Sequence, residues 1–205
     1  MKARRTVYIV DDEAVIRAST GSLLQARGDL DTREFSSGHA LLREIDGLTP
    51  GCVILDLQLV GESGAEVMEV LAPRSDFRTI VVTGAGDIAA AVGAFRAGAV
   101  DFLYKPYEIK PLMDAIDRAL YLLDHGEEPP QAVEQARMAM ARLTNEEADL
   151  LQRLIGGYTN QQIARDAGAD ERSVQMLRAR LLASLEVPSL LAAIRTAMIA
   201  GQVAG

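Results

Sequence analysis

The chain has 205 residues, of which 49% are apolar and 24% are charged, so wholesale disorder is excluded. Its 21 basic and 29 acidic side chains give a net charge of −8, and any contact with nucleic acid must therefore come from a local patch. One cysteine and two histidines exclude a disulfide framework within the chain and a cysteine-based zinc site. The apolar runs are too short for a signal peptide or a membrane helix, and we expect a cytoplasmic protein with no membrane partner.

The first 123 residues alternate between strand-like and helix-like patterns. Five short β-like runs fall at residues 6–10, 31–35, 52–55, 79–83 and 100–103, with amphipathic or Ala-rich helical segments between them. This alternation predicts parallel pairing with right-handed crossovers. Runs such as CVIL are continuously apolar, which is typical of strands covered on both faces. We predict an α/β fold, with a five-stranded doubly wound domain at residues 1–123.

The composition changes after residue 123. Gly126, Pro129 and Pro130 break the preceding helix, and residues 124–142 are predicted to form a partly helical linker. Only helical patterns follow, at residues 145–156, 160–167, 171–185 and 189–200. The sequence therefore predicts a small all-α domain at residues 143–205.

Polar side chains stand at the carboxyl ends of four predicted strands. Asp11 and Asp12 follow the first strand, Asp56 the third and Lys105 the fifth, while Thr83 ends the fourth. Ligands of an open parallel sheet bind outside these strand ends, so the five groups converge on one crevice. Clustered carboxylates suit Mg²⁺, an aspartate can attack phosphorus, and a hydroxyl and an ammonium can stabilise phosphoryl oxygens. Each group alone has a structural explanation, such as helix capping or a turn, but together they indicate phosphoryl transfer.

The segments YIVDDE, VILDL, VVTGAGD and AGAVDFLYKP resemble the receiver domain of two-component response regulators, in the same order and with the same spacing. The resemblance covers residues 1–123. It implies a flavodoxin-like sheet with strand order 2-1-3-4-5. It also implies that Asp56 is the phosphoacceptor, which takes its phosphoryl group from the phosphohistidine of a sensor histidine kinase.

The same resemblance assigns the other site residues. The Mg²⁺ ligands would be the side chains of Asp11, Asp12 and Asp56 and the backbone carbonyl of Gln58. Thr83 and Lys105 would contact the phosphoryl group, Thr83 and Phe102 would form the switch, and the peptide bond before Pro106 would be cis. One departure is Leu59-Val60-Gly61, which stands where the family commonly has a Met-Pro-Gly turn.

Residues 143–200 resemble the LuxR-type helix-turn-helix output domain, and the whole chain resembles the FixJ-type regulators. The matching residues are Leu143, Thr144, Glu147, Gly157, Asn160, Ile163, Ala164, Ser173, Val174 and Leu185. The resemblance places the helix at residues 171–185 in the DNA major groove. Val174, Leu177, Leu181 and Leu185 recur at helical spacing and are predicted to face the core. The candidate DNA contacts are Thr159, Asn160, Arg172, Ser173, Gln175, Met176, Arg178, Ala179 and Arg180.

Two features of the output domain leave an alternative open. Many family members carry lysine at the positions of Gln175 and Ala179, and this domain holds six arginines against seven carboxylates, a net charge of −1. Duplex affinity depends largely on counterion release, so the alternative is a regulator acting through protein–protein contacts with weak or no specific DNA binding. A third hypothesis, a Mg²⁺-dependent phosphohydrolase, is disfavoured because Gln58 stands where a second carboxylate would serve as general acid.

The predicted function is that of a phosphorylation-switched transcription regulator. It is not a metabolic enzyme, since the receiver would catalyse only its own phosphorylation and dephosphorylation. The expected partners are a sensor histidine kinase, promoter duplex DNA, RNA polymerase and a second copy of the chain. Phosphorylation is expected to pair two receivers through residues 87–103, a surface that runs from Asp87 to Leu103.

Overall fold

The computed structural model describes residues 4–84 and 88–201, with no side-chain placement for Ile88 and Ala89. The chain divides into two compact units. The first comprises residues 1–87 and 94–127, and the second comprises residues 128–205 together with 88–93. Ala85 and Gly86, which lie in the segment VVTGAGD, and Asp87, the first residue of the predicted pairing surface, lie outside the described residues.

The first unit contains a five-stranded parallel sheet with the order β2-β1-β3-β4-β5. The strands are β1 (Arg5–Val10), β2 (Leu30–Phe35), β3 (Gly51–Asp56), β4 (Phe77–Gly84) and β5 (Asp101–Lys105). The predicted α/β fold and strand order are confirmed. The strands begin and end within two residues of the predicted bounds, and β3 gains Gly51 and Asp56 because ladder pairing continues past the apolar run.

In the described part of the chain, four helices connect the strands and a fifth follows β5. They are α1 (Ala14–Gln25), α2 (Gly38–Glu44), α3 (Gly64–Leu71), α4 (Ile88–Arg96) and α5 (Ile109–His125), and a 3₁₀ turn follows α2 at Ile45–Gly47. Helices α1 and α5 share one face of the sheet, because their apolar residues pack in the same core. The core there joins Leu24, Leu112 and Ile116 to strand residues such as Ile54 and Ile80, all at most 1% exposed. This buried layer fixes the sheet beneath the strand ends that carry the candidate site.

Helix α3 begins in direct contact with the backbone at the end of β3. A β-carbon added at Gly64 would lie 2.5 Å from the Cα of Leu57 and 2.6 Å from the carbonyl oxygen of Asp56. The N–H of Gly64 donates to the Leu57 carbonyl at 3.3 Å. Only glycine permits this approach, so the residue that opens α3 helps to fix the backbone of the predicted phosphoacceptor.

The second unit is entirely helical in its described part. Besides residues 88–93, which belong to α4, it contains the helices α6 (Pro130–Met140), α7 (Asn145–Ile155), α8 (Asn160–Ala167), α9 (Glu171–Leu185) and α10 (Leu190–Ile199). Capping boxes at Thr144 and Thr159 begin α7 and α8. Each threonine hydroxyl accepts from the N–H three residues later, and the side chain of that later residue, Glu147 or Gln162, accepts from the threonine N–H. The predicted linker contains the end of α5 and all of α6, and α6 packs against α10.

Three of the four predicted core residues of α9 are buried. Val174, Leu181 and Leu185 are at most 4% exposed, whereas Leu177 is only half-buried and lines an open groove of about 270 Å³. Among the described residues no single helix is long and apolar enough to cross a membrane. Helices α9 and α10, which are bent by 53° at their junction, satisfy that length and composition only as a pair.

Candidate functional site

Three carboxylates meet at the carboxyl end of the sheet, as predicted. Asp11 follows β1 directly, Asp56 is the last residue of β3, and oxygens of Asp11, Asp12 and Asp56 lie within 4.8 Å of one another. Asp11 and Asp56 are both 2% exposed, while Asp12 is half-buried. Like charges this close in a buried pocket repel one another and require a cation.

Lys105, at the end of β5, supplies a cation within the chain. Its Nζ lies 2.6 Å from an oxygen of Asp56, 2.6 Å from an oxygen of Asp11 and 3.5 Å from Glu13. Burial alone would lower the pKa of Lys105, but the hydrogen bonds and charges of Asp11 and Asp56 outweigh burial and raise the pKa above its ordinary value. The lysine is therefore a fixed positive charge that lies equally close to the two most buried carboxylates.

The donor set fits a divalent cation. The three aspartates and Lys105 together carry a net charge of −2. The metal ligands that the pocket offers are the carboxylate oxygens of the aspartates, and Mg²⁺ prefers oxygen over nitrogen or sulfur. The second oxygen of Asp56 accepts from the N–H of Gln58 at 2.8 Å, so the start of the following loop is tied to the carboxylate. This bond holds Gln58, whose carbonyl is the predicted fourth ligand, next to the acidic cluster.

The two predicted switch residues are both buried. Thr83 is 1% exposed on β4, one position beyond Val82, which pairs with Asp56 across the ladder. Phe102 is 2% exposed on β5, and its ring lies 5.4 Å from that of Tyr104 and 6.5 Å from that of Phe95. The Lys105–Pro106 peptide bond is cis, as the resemblance implies.

Sequence reasoning missed two residues that hold this pocket. Arg17, on α1, donates from Nη1 to the backbone carbonyl of Asp11 at 2.6 Å. The hydroxyl of Tyr107 lies 2.8 Å from that of Thr20, so α1 is linked to the loop after Lys105. The first contact joins positions six residues apart, a spacing that no helical side-chain pattern relates, so the sequence carried no signal for it.

The loop after Asp56 is anchored by Glu62. The Glu62 side chain is 5% exposed and accepts hydrogen bonds from the backbone N–H groups of Gly38 and His39 and from the His39 ring. Burial would raise the pKa of Glu62, but the backbone bonds from His39 and Gly38 and the His39 side chain outweigh burial and hold it below its usual value. Glu62 therefore ties the loop beside the phosphoacceptor to the start of α2.

Glu62→Gln should destabilise the protein by about 2 kcal/mol at neutral pH, since bonds to a charged acceptor are lost. Because the pKa of Glu62 is lower in the folded than in the unfolded protein, the ionised side chain stabilises the fold at pH values above the ordinary glutamate pKa. This stabilisation is lost as the pH falls through the lowered pKa. We expect the difference in unfolding free energy between wild type and variant to shrink towards zero below about pH 4. Urea unfolding at several pH values measures it, with the exposed Glu69→Gln as control. A difference that does not change with pH would contradict this assignment.

The predicted DNA-contacting residues lie mostly on the exposed side of α9. The exposed residues are Thr159, Arg172, Ser173, Gln175, Met176, Ala179 and Arg180, whereas Asn160 and Arg178 are half-buried. Met176 is 60% exposed, which is high for a large apolar side chain. Asp170 caps the helix by accepting from the N–H of Ser173 at 2.7 Å. The arrangement presents Gln175, Met176 and Ala179 together on one open face.

Carboxylates of the same unit engage its arginines. Arg180 donates to Glu146 of α7 at 3.2 Å, and Arg153 donates to Asp149 at 2.8 Å. Neither pair lies in the core, and the Arg180 and Glu146 side chains are 60% and 75% exposed. A predicted phosphate contact is thus shared with an acidic side chain, which reduces the positive charge available to a duplex.

The fold and the acidic pocket define the class of protein. The family described as "Response regulator receiver domain" matches residues 7–117, and the family "Bacterial regulatory proteins, luxR family" matches residues 141–197. Receiver domains take a phosphoryl group from a histidine kinase and bind Mg²⁺ at an acidic pocket, and the luxR-type domain binds DNA. This class consists of signalling regulators rather than metabolic enzymes.

The relatives narrow the class further. The transcriptional regulatory protein FixJ of Bradyrhizobium diazoefficiens is 32% identical over 202 residues, which is 98% of each chain. The C4-dicarboxylate transport transcriptional regulatory protein DctR of Rhodobacter capsulatus is 34% identical over 88% of this chain and 92% of its own. The crystal structure of full-length FixJ from B. japonicum is similar with a TM-score of 0.55 and 31% identity, covering 98% of this chain and 100% of the other. The chain belongs to the FixJ-type two-component response regulators, which regulate transcription.

Proposed function

We propose that Asp56 of this chain accepts the phosphoryl group of a kinase phosphohistidine. The observation that carries the proposal is the buried Asp56 carboxylate, held 2.6 Å from the Lys105 ammonium beside two further aspartates. An oxygen of Asp56 forms a bond to phosphorus, the nitrogen–phosphorus bond of the phosphohistidine breaks, and the imidazole leaves with the electron pair. Lys105 and Thr83 then stabilise the charge on the phosphoryl oxygens.

Asp11, Asp12, Asp56 and the carbonyl of Gln58 would hold Mg²⁺. When bound, the ion neutralises charge between the carboxylates and the incoming phosphoryl group. The same residues support self-dephosphorylation, in which water attacks phosphorus and the Asp56 carboxylate leaves. Both reactions act on the receiver itself.

Phosphorylation is proposed to act through Thr83 and Phe102 on the surface at residues 87–103. Their burial supports this route, because a new charge beside Thr83 must be accommodated by atoms that are already packed. Two receivers at residues 1–123 would pair, and the partly helical segment 124–142 would bring two output domains at residues 143–205 onto a two-fold site. At the promoter, RNA polymerase is the expected further partner.

The output domain is proposed to read duplex DNA with α9. Its exposed Gln175 can pair with adenine, and Met176 and Ala179 can contact thymine methyl groups. The arginine–carboxylate pairs favour a second candidate function, a protein-contacting module with weak DNA binding. The two candidate functions make opposite predictions for the enrichment of a duplex motif. Selection from a random duplex pool separates them, using full-length protein with Mg²⁺ and beryllium fluoride and Asp56→Asn as control. An enriched two-fold motif absent from the control supports gated DNA binding, and no enrichment at low salt refutes it.

Glu146→Gln should strengthen binding to duplex DNA, because it releases Arg180 for a phosphate. One further phosphate contact should steepen the dependence of log K on log salt concentration by about one. Fluorescence anisotropy with a fixed duplex over a salt series measures affinity and slope together. The control is Glu186→Gln, which makes the same change in charge but breaks the Arg142–Glu186 pair. Equal slopes in the two variants would contradict the prediction.

A further inference from the structure

Arg17 occupies a built position next to the acidic pocket. Its side chain is 15% exposed, and its Nη1 reaches the backbone carbonyl of Asp11 at 2.6 Å. Its Nε lies 3.9 Å from Glu34 of β2, and Glu34 pairs in the ladder with Ile9, two residues before Asp11. The guanidinium therefore bridges α1, the end of β1 and the end of β2.

A glycine of α1, Gly21, leaves the space in which Glu34 meets Arg17. A β-carbon at Gly21, one helical turn beyond Arg17, would lie 2.8 Å from the Oε1 atom of Glu34. The glycine thus leaves room for the carboxylate that holds Arg17. This second contact is independent of the bond to Asp11 and shows that the bridge is part of the packing of α1 on the sheet.

With Arg17 in place, each polar group of Asp11 has a partner from a different part of the pocket. Its N–H donates to the Phe35 carbonyl at 3.2 Å, and one carboxylate oxygen accepts from the N–H of Glu13 at 2.9 Å. The other carboxylate oxygen accepts from Lys105, and the backbone carbonyl accepts from Arg17. Because this carbonyl belongs to the peptide that joins Asp11 to Asp12, fixing it orients both carboxylates.

We infer that Arg17 is a positioning residue for the divalent-cation site, and this inference rests on the function proposed above. Arg17 acts through the Asp11–Asp12 peptide and does not touch the ion. The charge of Arg17 and its hydrogen bond to Asp11 have opposite effects on Mg²⁺ affinity. The charge repels Mg²⁺, so loss of the charge alone would tighten binding. Loss of positioning weakens binding, as is typical when a group that orients metal ligands is removed. The sign of the change in affinity therefore separates the two effects.

The test is calorimetric Mg²⁺ titration of the full-length protein and its variants. We expect Arg17→Met to raise the Mg²⁺ dissociation constant by about tenfold. Arg17→Lys, which keeps the charge and one donor, should recover part of that loss. Arg33→Met is the matched control, because it removes an arginine that pairs with Glu44 away from the pocket, and its dissociation constant should equal that of the wild type.

Three results would overturn the inference and one would support it. Thermal unfolding reports whether each variant folds, and a lowered midpoint with unchanged Mg²⁺ affinity would overturn the inference by showing a purely structural role. Tighter binding by Arg17→Met would overturn it in favour of a charge effect. If the wild type itself binds no Mg²⁺ at millimolar concentrations, the proposed metal site is wrong and the inference falls with it. A Mg²⁺ affinity that is weakened in Arg17→Met and partly restored in Arg17→Lys supports both the proposed metal site and the positioning role of Arg17.

Discussion

Asp56→Asn should reduce phosphoryl uptake by at least about a thousandfold. The amide has nearly the same shape as the carboxylate, but it cannot form the acyl phosphate. Because Asp56 is 2% exposed and its oxygens bond to Lys105 and Gln58, the loss will reflect chemistry rather than a disturbed surface. Intact-mass spectrometry after incubation with Mg²⁺ and phosphoramidate measures the incorporated phosphoryl group.

Asp46→Asn is the control for this experiment. It makes the same isosteric change at a carboxylate that is 90% exposed and pairs with Arg74, away from the pocket. Uptake by this variant should match that of the wild type. Full uptake by Asp56→Asn would show that a different side chain is the phosphoacceptor, and peptide mapping would then identify it.

Gly64→Ala should destabilise the receiver by about 3 kcal/mol. The added β-carbon would meet the backbone of Leu57 and Asp56 at 2.5 and 2.6 Å, distances that no rotamer change can relieve. Helix α3 or the end of β3 must move, and we expect phosphoryl uptake to slow because Asp56 moves with it. Urea unfolding gives the change in free energy, and the mass assay gives the rate of uptake.

Gly47→Ala provides the comparison for this substitution. A β-carbon at Gly47 meets no atom within 4 Å, and its φ is not in the left-handed region. We expect its stability to stay within about 0.5 kcal/mol of the wild type. Equal stabilities for the two variants would mean that α3 moves away from β3 at little energetic cost, which would contradict a fixed backbone at Asp56.

The alternation of apolar runs was sufficient to predict the fold and the place of the site. The strand order was predicted from the resemblance to the receiver domain. The convergence of Asp11, Asp56 and Thr83 follows from the geometry of parallel sheets, in which carboxyl ends share one edge. What the sequence could not predict was the position of the Lys105 ammonium, 2.6 Å from both Asp11 and Asp56. That position depends on a side-chain conformation set by the whole pocket.

The missed contacts join residues that no periodicity relates. Glu62 meets Gly38 and His39 across more than 20 positions in sequence, and such a pairing appears only once α2 and the loop after β3 are in place. Glu147 is a similar case. Its match to the output family was visible in the sequence, but the hydrogen bond that it accepts from the Ser184 hydroxyl at 3.0 Å was not. The roles of individual α9 residues in DNA binding stay predictions.

The two units should also acquire their structure on different timescales. In the second unit, Thr144 and Thr159 satisfy their own helix starts through residues three positions away, and α8 closes at Gly168 in the left-handed conformation. Such short-range contacts permit fast folding, whereas the parallel pairs of β1 with β3 join positions about 45 residues apart and form slowly. Because the slowly folding unit is synthesised first, its sheet can begin to form while the second unit is still being translated. Both units can therefore complete their folding soon after the last residue is added.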